Sequence, residues 1–428
     1  MTMDGDTSQT LITPATMASA LEASRSGARR RPATIALFGL FGVGNLGNDG
    51  SLEAMVRFLR DARPDAELFC VCDDPRVVAG SIDVDFIPLR RSRQLLRWSG
   101  GGSRMLKLPL RLMDQAAAFW RLRRADLMII PGTGILDDFG ERPHGMPLDI
   151  AVWCLAARLM GAKVAFVCIG AGPIRNSVSR RLMTFAARLA NYRSYRDQIS
   201  SEFMKNVGVD ADGDPVYPDI AFKLAVPEAP ERPSAGGKLT VGVGVMGYRG
   251  WYSFAEGAEE IWSRYLGKLS RFVVHLLQAG HDIRLLIGEA GDMASVHALQ
   301  EMVTAAAPDM VEGRVTAVPS ASLHELMQQM AHTDAVVATR FHNVVCALKM
   351  GRPTISIGYA KKNDVLMADM GLGGFCQHVE DFDLEMLKGQ FDLLVENRET
   401  YSRKIRDRVR DYEHQLARQD EHLIATLL

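Results

Sequence analysis

Thr34-Ile-Ala-Leu-Phe38-Gly39-Leu-Phe-Gly42-Val-Gly44-Asn45-Leu46-Gly47-Asn48-Asp49-Gly50-Ser51-Leu52 holds a strand, a glycine loop and the start of a helix. The apolar run Thr34–Phe38 is a buried-type strand, and Leu52, Met55, Val56 and Leu59 follow at helical spacing until Arg60-Asp61 and Pro64 stop them. The same alternation continues with strands at Glu67–Val71, Leu127–Ile130, Val164–Ile169, Arg193–Tyr195 and Val216–Tyr217, and helices at Ile150–Met160 and Ser179–Ala190. Strands that alternate with helices predict a parallel, doubly wound α/β sheet.

Ala225–Gly237 carries three prolines, two glycines and no apolar stripe, so a domain boundary belongs there. Beyond it the pattern restarts with strands at Leu239–Val245, Ile283–Ile287, Ala335–Thr339 and Thr354–Ile357 and helices at Ala258–Gln278, Leu323–Met330 and Asn343–Met350. The expected organisation is a disordered leader (1–32), an N-terminal Rossmann-like domain (33–226), a linker (227–237), a second Rossmann-like domain (238–381) and a charged helical segment (382–428), with a cleft between the domains. The last segment reads as a largely solvated helix that packs, with folding across the domains or self-association as its alternatives.

The 428 residues include 50 Lys+Arg against 51 Asp+Glu, so no net charge draws the chain to nucleic acid. No apolar run approaches the roughly 20 residues that cross a bilayer, and the first 32 residues lack the apolar centre of a signal peptide, which predicts a cytoplasmic protein. Six scattered cysteines without a C-x-x-C pair predict neither disulfides nor a metal site, and no cofactor is expected.

Three glycine clusters, Gly39–Gly50, Pro131-Gly132-Thr133-Gly134-Ile-Leu-Asp137-Asp138 and Gly170-Ala-Gly172-Pro173, follow strands and so lie at the carboxyl edge, where open α/β sheets bind ligands. The first contains G-x-G-x-x-G at Gly42, Gly44 and Gly47, which alone suggests NAD with Asp73 or Asp74 on the ribose, or only a tight turn. Arg196-Asp197 and Arg340-Phe341-His342 occupy strand-to-helix junctions in the two domains, where a guanidinium and a helix start favour an anion. An ion pair with Asp197 or a capping role is the other reading of Arg196. Tyr359-Ala-Lys361-Lys362 follows the strand Thr354–Ile357 on the same edge, and either lysine could reach a phosphate.

The order and spacing of Gly44-Asn45-Leu46-Gly47-Asn48-Asp49, Gly132–Gly134, Gly170-Ala-Gly172-Pro173, Tyr195-Arg196-Asp197 with Ser200 and Gly208, Asp219, Arg340-Phe-His342, Gly351-x-Pro353 and Tyr359-x-x-Lys362 resemble the polysaccharide pyruvyl transferase family over residues 34–375. The resemblance implies a GT-B-like fold, phosphoenolpyruvate as donor, and transfer of pyruvate as a ketal to two hydroxyls of a saccharide. It also implies a donor site of Arg196, Arg340, His342 and Lys362. Asn48 and Thr133 depart from the family pattern, which has Asp and Gly there.

Two arginines and a lysine suit a carboxylate and a phosphate, and an imidazole can handle the proton, which makes His342 and Arg340 the expected catalytic pair. Candidates for the acceptor side are Asn45, Gly47, Asp49, Gly134, Asp137, Asp138 and His144, with Tyr248, Arg249, Trp251 and Tyr252 as further sugar contacts. Residues 90–124 hold ten Lys/Arg against one acid, Asp114, interleaved with residues such as Met105, Leu112 and Trp120. They read either as an interfacial segment on an anionic membrane, facing a lipid-linked saccharide, or as a packed hairpin with a solvated basic face. Two other functions fit the same elements: a sugar-nucleotide glycosyltransferase, and a non-catalytic glycan or anion scaffold.

Overall fold

The structure is a computed structural model that describes residues 32–78, 82–90, 104–138, 141–228, 238–250 and 257–428. The leader up to residue 31, most of the linker, Arg91, Arg93 and Arg97 of the basic stretch, Trp251 and Tyr252 lie outside the described residues.

The N-terminal sheet comprises β1 (Thr34–Phe38), β2 (Glu67–Cys72), β3 (Asp85–Pro88), β4 (Leu127–Pro131), β5 (Lys163–Ile169) and β6 (Tyr192–Tyr195). All are parallel, in the order β3-β2-β1-β4-β5-β6, with Ala36 opposite both Phe69 and Met128. Alternate residues serve opposite faces. Ala36, Phe38, Met128, Ile130, Val164 and Phe166 meet α2 (Arg104–Leu122), α3 (Met146–Leu159) and α4 (Ser177–Arg188) through Leu122, Trp153 and Met183. Ile35, Leu37, Ile129 and Val167 join the core that holds α1 (Leu46–Ala62), which continues through Ile220 and Phe222 into the second domain. A short helix, α5 (Gln198–Asn206), follows β6.

The second sheet repeats the design. β7 (Thr240–Val245), β8 (Asp282–Ile287), β9 (Val315–Ala317), β10 (Ala335–Ala338), β11 (Thr354–Gly358) and β12 (Cys376–His378) run parallel in the order β12-β11-β10-β7-β8-β9, the same winding as the first sheet. The strand order therefore reverses between β1 and β4 in one domain and between β7 and β10 in the other, and crevices form at such switch points. The flanking helices are α6 (Ala258–Gln278), α7 (Met293–Ala306), α8 (Leu323–Ala331), α9 (Phe341–Lys349) and α10 (Lys361–Asp369).

Three edge strands, β3, β9 and β12, have only three or four residues each and escape the sequence pattern, as does α7. The expected strand Val216–Tyr217 is instead one parallel bridge from Val216 to Tyr195, because Pro215 and Pro218 bracket it and lack the N–H a ladder needs.

The charged C-terminal segment forms α11 (Leu384–Glu396) and α12 (Arg398–Thr426), and α12 is a strap across both domains rather than a largely solvated helix. Its first half binds the second domain, with Arg408 and Tyr412 on Asp369 and Glu413 on Lys349. Its second half binds the first, with Asp420 on Lys223 at 2.6 Å. Ile405, Val409, Tyr412, Leu416 and Leu423 form its buried stripe. Gln419, 1% exposed, donates to Ser194 Oγ at 2.7 Å and accepts from the Cys168 thiol at 3.0 Å. Because Gln419→Ala strands these buried partners, it should cost about 2 kcal/mol, measured as a lower melting temperature with unchanged helix content.

Candidate active site

The residues expected at the donor site converge from both domains. Arg340 ends the β10 turn and precedes α9 without a side-chain cap, and Ala360 precedes α10 likewise. The first-domain helices α1, α4 and α5 are capped by Asn45, Asn176 and Asp197. Two helix starts with uncapped N–H groups thus point into the cleft, a disposition suited to anions.

Phe341 is the hub. The Arg196 guanidinium from the first domain lies 4.9 Å from its ring centroid, the Lys362 ammonium lies 5.2 Å from it, and the His342 ring follows at 5.3 Å. Asp219 accepts from Arg196 Nη1 at 3.3 Å and stands 3.8 Å from His342 Nε2. Arg196, Asp219, Phe341 and Lys362, with Tyr217 and Tyr412, line a cavity of about 360 Å³. Lys361 is exposed on the outside of the same turn, so of the two adjacent lysines it is Lys362 that faces the cavity. Arg196 Nε and His342 Nε2 are buried without a hydrogen-bond partner, with Asp197 Oδ2 3.7 Å from the first, the ion pair that was the other reading of Arg196, and Asp219 Oδ2 3.8 Å from the second.

Two glycines make this approach possible. A Cβ on Gly47, in the first turn of α1, would fall inside the His342 ring, and a Cβ on Gly170 would strike the Arg196 guanidinium. The loop around Gly170 is turned outward by Cys168, the one non-glycine residue with positive φ among the described residues (52°), whose N–H donates to Ser194 Oγ. A backbone bridge between Asn45 and Glu289 ties the same two domains beside His342.

The cavity sets Arg196 and Lys362 among the carboxylates of Asp197, Asp219 and Asp369. Burial pushes His342 down to about 4, with Arg196, Lys362 and Arg340 adding to the shift and Asp219 opposing it, so the imidazole is neutral at pH 7. Burial would raise the Tyr359 phenol, but Lys362, Arg340 and Arg196 outweigh it and hold its pKa below the ordinary 10. Arg340 differs from the sequence expectation: its guanidinium is filled by Asp292, at 2.6 Å from Nη2, and by Glu289, at 2.5 Å from Nη1. Its fork is engaged within its own domain, and it supplies charge to the pocket from a fixed position.

The acceptor candidates are more dispersed. Asn45 caps α1 through Gly47 N–H at 3.1 Å, Asp138 is buried beneath the backbone N–H groups of Arg175 and Asn176, and Asp137 abuts Gly172. These side chains set the shapes of the loops. Asp49 accepts from Gly42 N–H at 2.9 Å, and burial raises it to about 6 despite that bond. Gly134 is half-buried in the second loop, and His144 is exposed at the start of α3, apart from the donor cluster. Tyr248 donates to Glu380 at 2.6 Å and stacks toward Tyr359 at 6.2 Å, while Arg249 pairs with Glu259. The residues that sequence reasoning left out of the site are Asp219, Phe341, Glu289 and Asp292.

Two Rossmann-like domains of the same strand order that meet at a cleft define a GT-B fold, and solved structures agree. A glycosyltransferase from Rickettsia africae ESF-5 matches with TM-score 0.57 and 10% identity, covering 93% of this chain and 99% of that one. A UDP-forming α,α-trehalose-phosphate synthase from Burkholderia vietnamiensis gives 0.57 and 10% over 92% and 99%. UDP-GlcNAc 2-epimerase from Neisseria meningitidis, bound to UDP-GlcNAc, gives 0.55 and 9% over 90% and 100%. At such identities the likeness is one of fold. No curated protein matches the sequence significantly. The polysaccharide pyruvyl transferase family profile matches residues 45–361, and the chain belongs to that family. It is thus a transferase whose acceptor is a saccharide.

Two substitutions test this geometry. Gly47→Ala should displace His342 and lower turnover at least about 100-fold, since misplacement of the order of 1 Å is costly in catalysis, with a loss of stability of about 1–3 kcal/mol from the overpacked contact, read as a lower melting temperature of a still folded protein. Asp49 carries a pKa above its ordinary 3.8, so the wild type loses stability as pH rises from about 4 to 6. Asp49→Asn escapes that loss, and its melting temperature should exceed wild type at pH 7.5 but not at pH 4.

Proposed function

We propose that this protein transfers pyruvate from phosphoenolpyruvate to two hydroxyls of a saccharide as a cyclic ketal, in the synthesis of a surface polysaccharide, with a lipid-linked glycan as acceptor. The observation that carries the reading is the pair of cations, Arg196 from one domain and Lys362 from the other, over the single ring of Phe341 beside an unpartnered His342. A small ligand bearing a carboxylate and a phosphate matches two cations and two uncapped helix starts.

The reaction needs a proton on the methylene carbon, attack of one hydroxyl at the adjacent carbon, departure of phosphate with the electrons of its C–O bond, and closure by the second hydroxyl. One hydroxyl proton ends on the new methyl group and the other on phosphate, so the imidazole that carries them returns to its starting state. His342 is neutral in the free protein, and the donor's negative charges, offsetting Arg196 and Lys362, raise its pKa so that it binds a proton as the donor arrives. Arg196 and Lys362 stabilise the charge that builds on the leaving phosphate. Arg340 fixes the start of α9 and adds to the field.

Phosphoenolpyruvate should therefore raise the melting temperature, an effect expected of any ligand that binds only the folded state, while UDP and NAD do not. Lys362→Ala should abolish the shift. Calorimetry at pH 7 in buffers of different ionisation enthalpy should show proton uptake on donor binding, and His342→Gln should remove the uptake but keep the binding. Stabilisation by UDP in place of phosphoenolpyruvate would replace this reading with a glycosyltransferase, and stabilisation by neither, without phosphate release, with a scaffold.

A further inference from the structure

The helices α2, α3 and α4 lie side by side on one face of the first sheet, each leading directly into a parallel strand, β4, β5 and β6. They consequently run in one direction, about 8–10 Å apart, and their C-terminal ends share the edge of the sheet opposite the cleft. Each end carries a large apolar side chain on the outside: Trp120 is 66% exposed, Leu159 63% and Phe185 41%, with Leu112 and Met113 (63% and 65%) further along α2. Exposed apolar residues scattered singly need no explanation, but one near the C-terminal end of each of three adjacent helices does.

Each end also carries an arginine whose partner is neutral. Arg123 donates to the Trp120 carbonyl and lies 4.1 Å from the Trp120 ring centroid, Arg158 donates to Asn191 Oδ1 at 2.7 Å, and Arg188 donates to the Gly208 carbonyl at 2.6 Å. These bonds orient the guanidinium groups without neutralising them. The three helices contain only two carboxylates, Asp114 and Asp149, and Asp149 is buried under Arg90 and Arg111. Arg123, Arg158 and Arg188 thus place exposed positive charge near the apolar side chains at these helix ends.

We infer that the outer face of α2, α3 and α4 docks on an anionic phospholipid bilayer, inserting Trp120, Leu159 and Phe185 at headgroup depth while Arg123, Arg158 and Arg188 meet lipid phosphates. Amphipathic arginine and tryptophan are suited to this boundary, where the apolar body is buried and the polar tip stays wet. The surface joins the described end of the basic stretch, on α2, to two helices outside it, and it leaves the cleft at the opposite sheet edge free to take a lipid-linked glycan. The lipid-linked acceptor reading gives it a purpose, but docking is measured without turnover, so the two succeed or fail separately.

The test is flotation of the purified full-length protein with vesicles of phosphatidylcholine alone and with 30% phosphatidylglycerol, about 0.1 M salt being enough to screen only distant charges. Wild type should float with the anionic vesicles only. Trp120→Ser with Arg123→Glu, and separately Leu159→Ser with Phe185→Ser, should each reduce the bound fraction about fivefold or more, with melting temperatures within a few degrees of wild type. Phosphoenolpyruvate-induced stabilisation should persist in both. Absence of flotation, equal flotation with both vesicle types, or a dimer that Trp120→Ser dissolves would each overturn the inference.

Discussion

Two like charges from different domains, Arg196 and Lys362, are held over one aromatic ring, and the rest of the structure is arranged around that constraint. Such a juxtaposition opposes domain closure unless something compensates it. Asp219 neutralises Arg196 in part, and the Phe341 face accepts both cations. The remaining compensation comes from contacts elsewhere along the domain boundary: the Asn45–Glu289 bridge, the continuous apolar core through Ile220 and Phe222, and the α12 strap. A donor anion relieves the same repulsion directly. The shape of the site is therefore maintained by apolar and hydrogen-bonded contacts outside the cavity.

The strap makes this coupling specific. Tyr412 reaches Asp369 at the end of α10, the helix that begins with Lys361-Lys362, and also lines the cavity. Seven residues further along α12, Gln419 holds Cys168 and Ser194, which shape the Gly170 loop on which the Arg196 guanidinium lies. One helix thus fixes both cations from behind, each through a loop or helix that the sequence places far away.

The repeated alternation of strand and helix was legible because buried parallel strands are long apolar runs and glycine loops mark their ends, as in Thr34–Phe38 and Leu127–Ile130. The short edge strands were not, because Val315–Ala317 and Cys376–His378 bury too little to leave a pattern. Arg196, His342 and the Lys361-Lys362 pair drew attention because each sits at a strand-to-helix junction, and only the family resemblance favoured Lys362 of the two lysines. Glu289 and Asp292 also follow a strand, in Gly288-Glu-Ala-Gly-Asp292, and that carboxyl-edge position was the available signal. What could not be read is that they would close on Arg340, since pairing across 48 residues leaves no local trace. The role of α12 was hidden for a related reason: a charged helix with scattered apolar positions looks solvated until its partners on both domains are known.

The protonation state of His342 ties these features to chemistry. An imidazole kept neutral by burial and by three nearby cations cannot deliver a proton to water or to a passing ligand of the wrong charge. A neutral sugar leaves it neutral. A monoanion offsets little of the field, while a ligand with both a carboxylate and a phosphate can offset Arg196 and Lys362 together. Burial, which lowers the imidazole pKa in the free state, also strengthens its attraction to that ligand once bound, because charges in a water-poor pocket are weakly screened. On the function proposed above, the pocket would discriminate by charge before it discriminates by shape, and the His342 imidazole would gain its proton only with a dianionic donor in place.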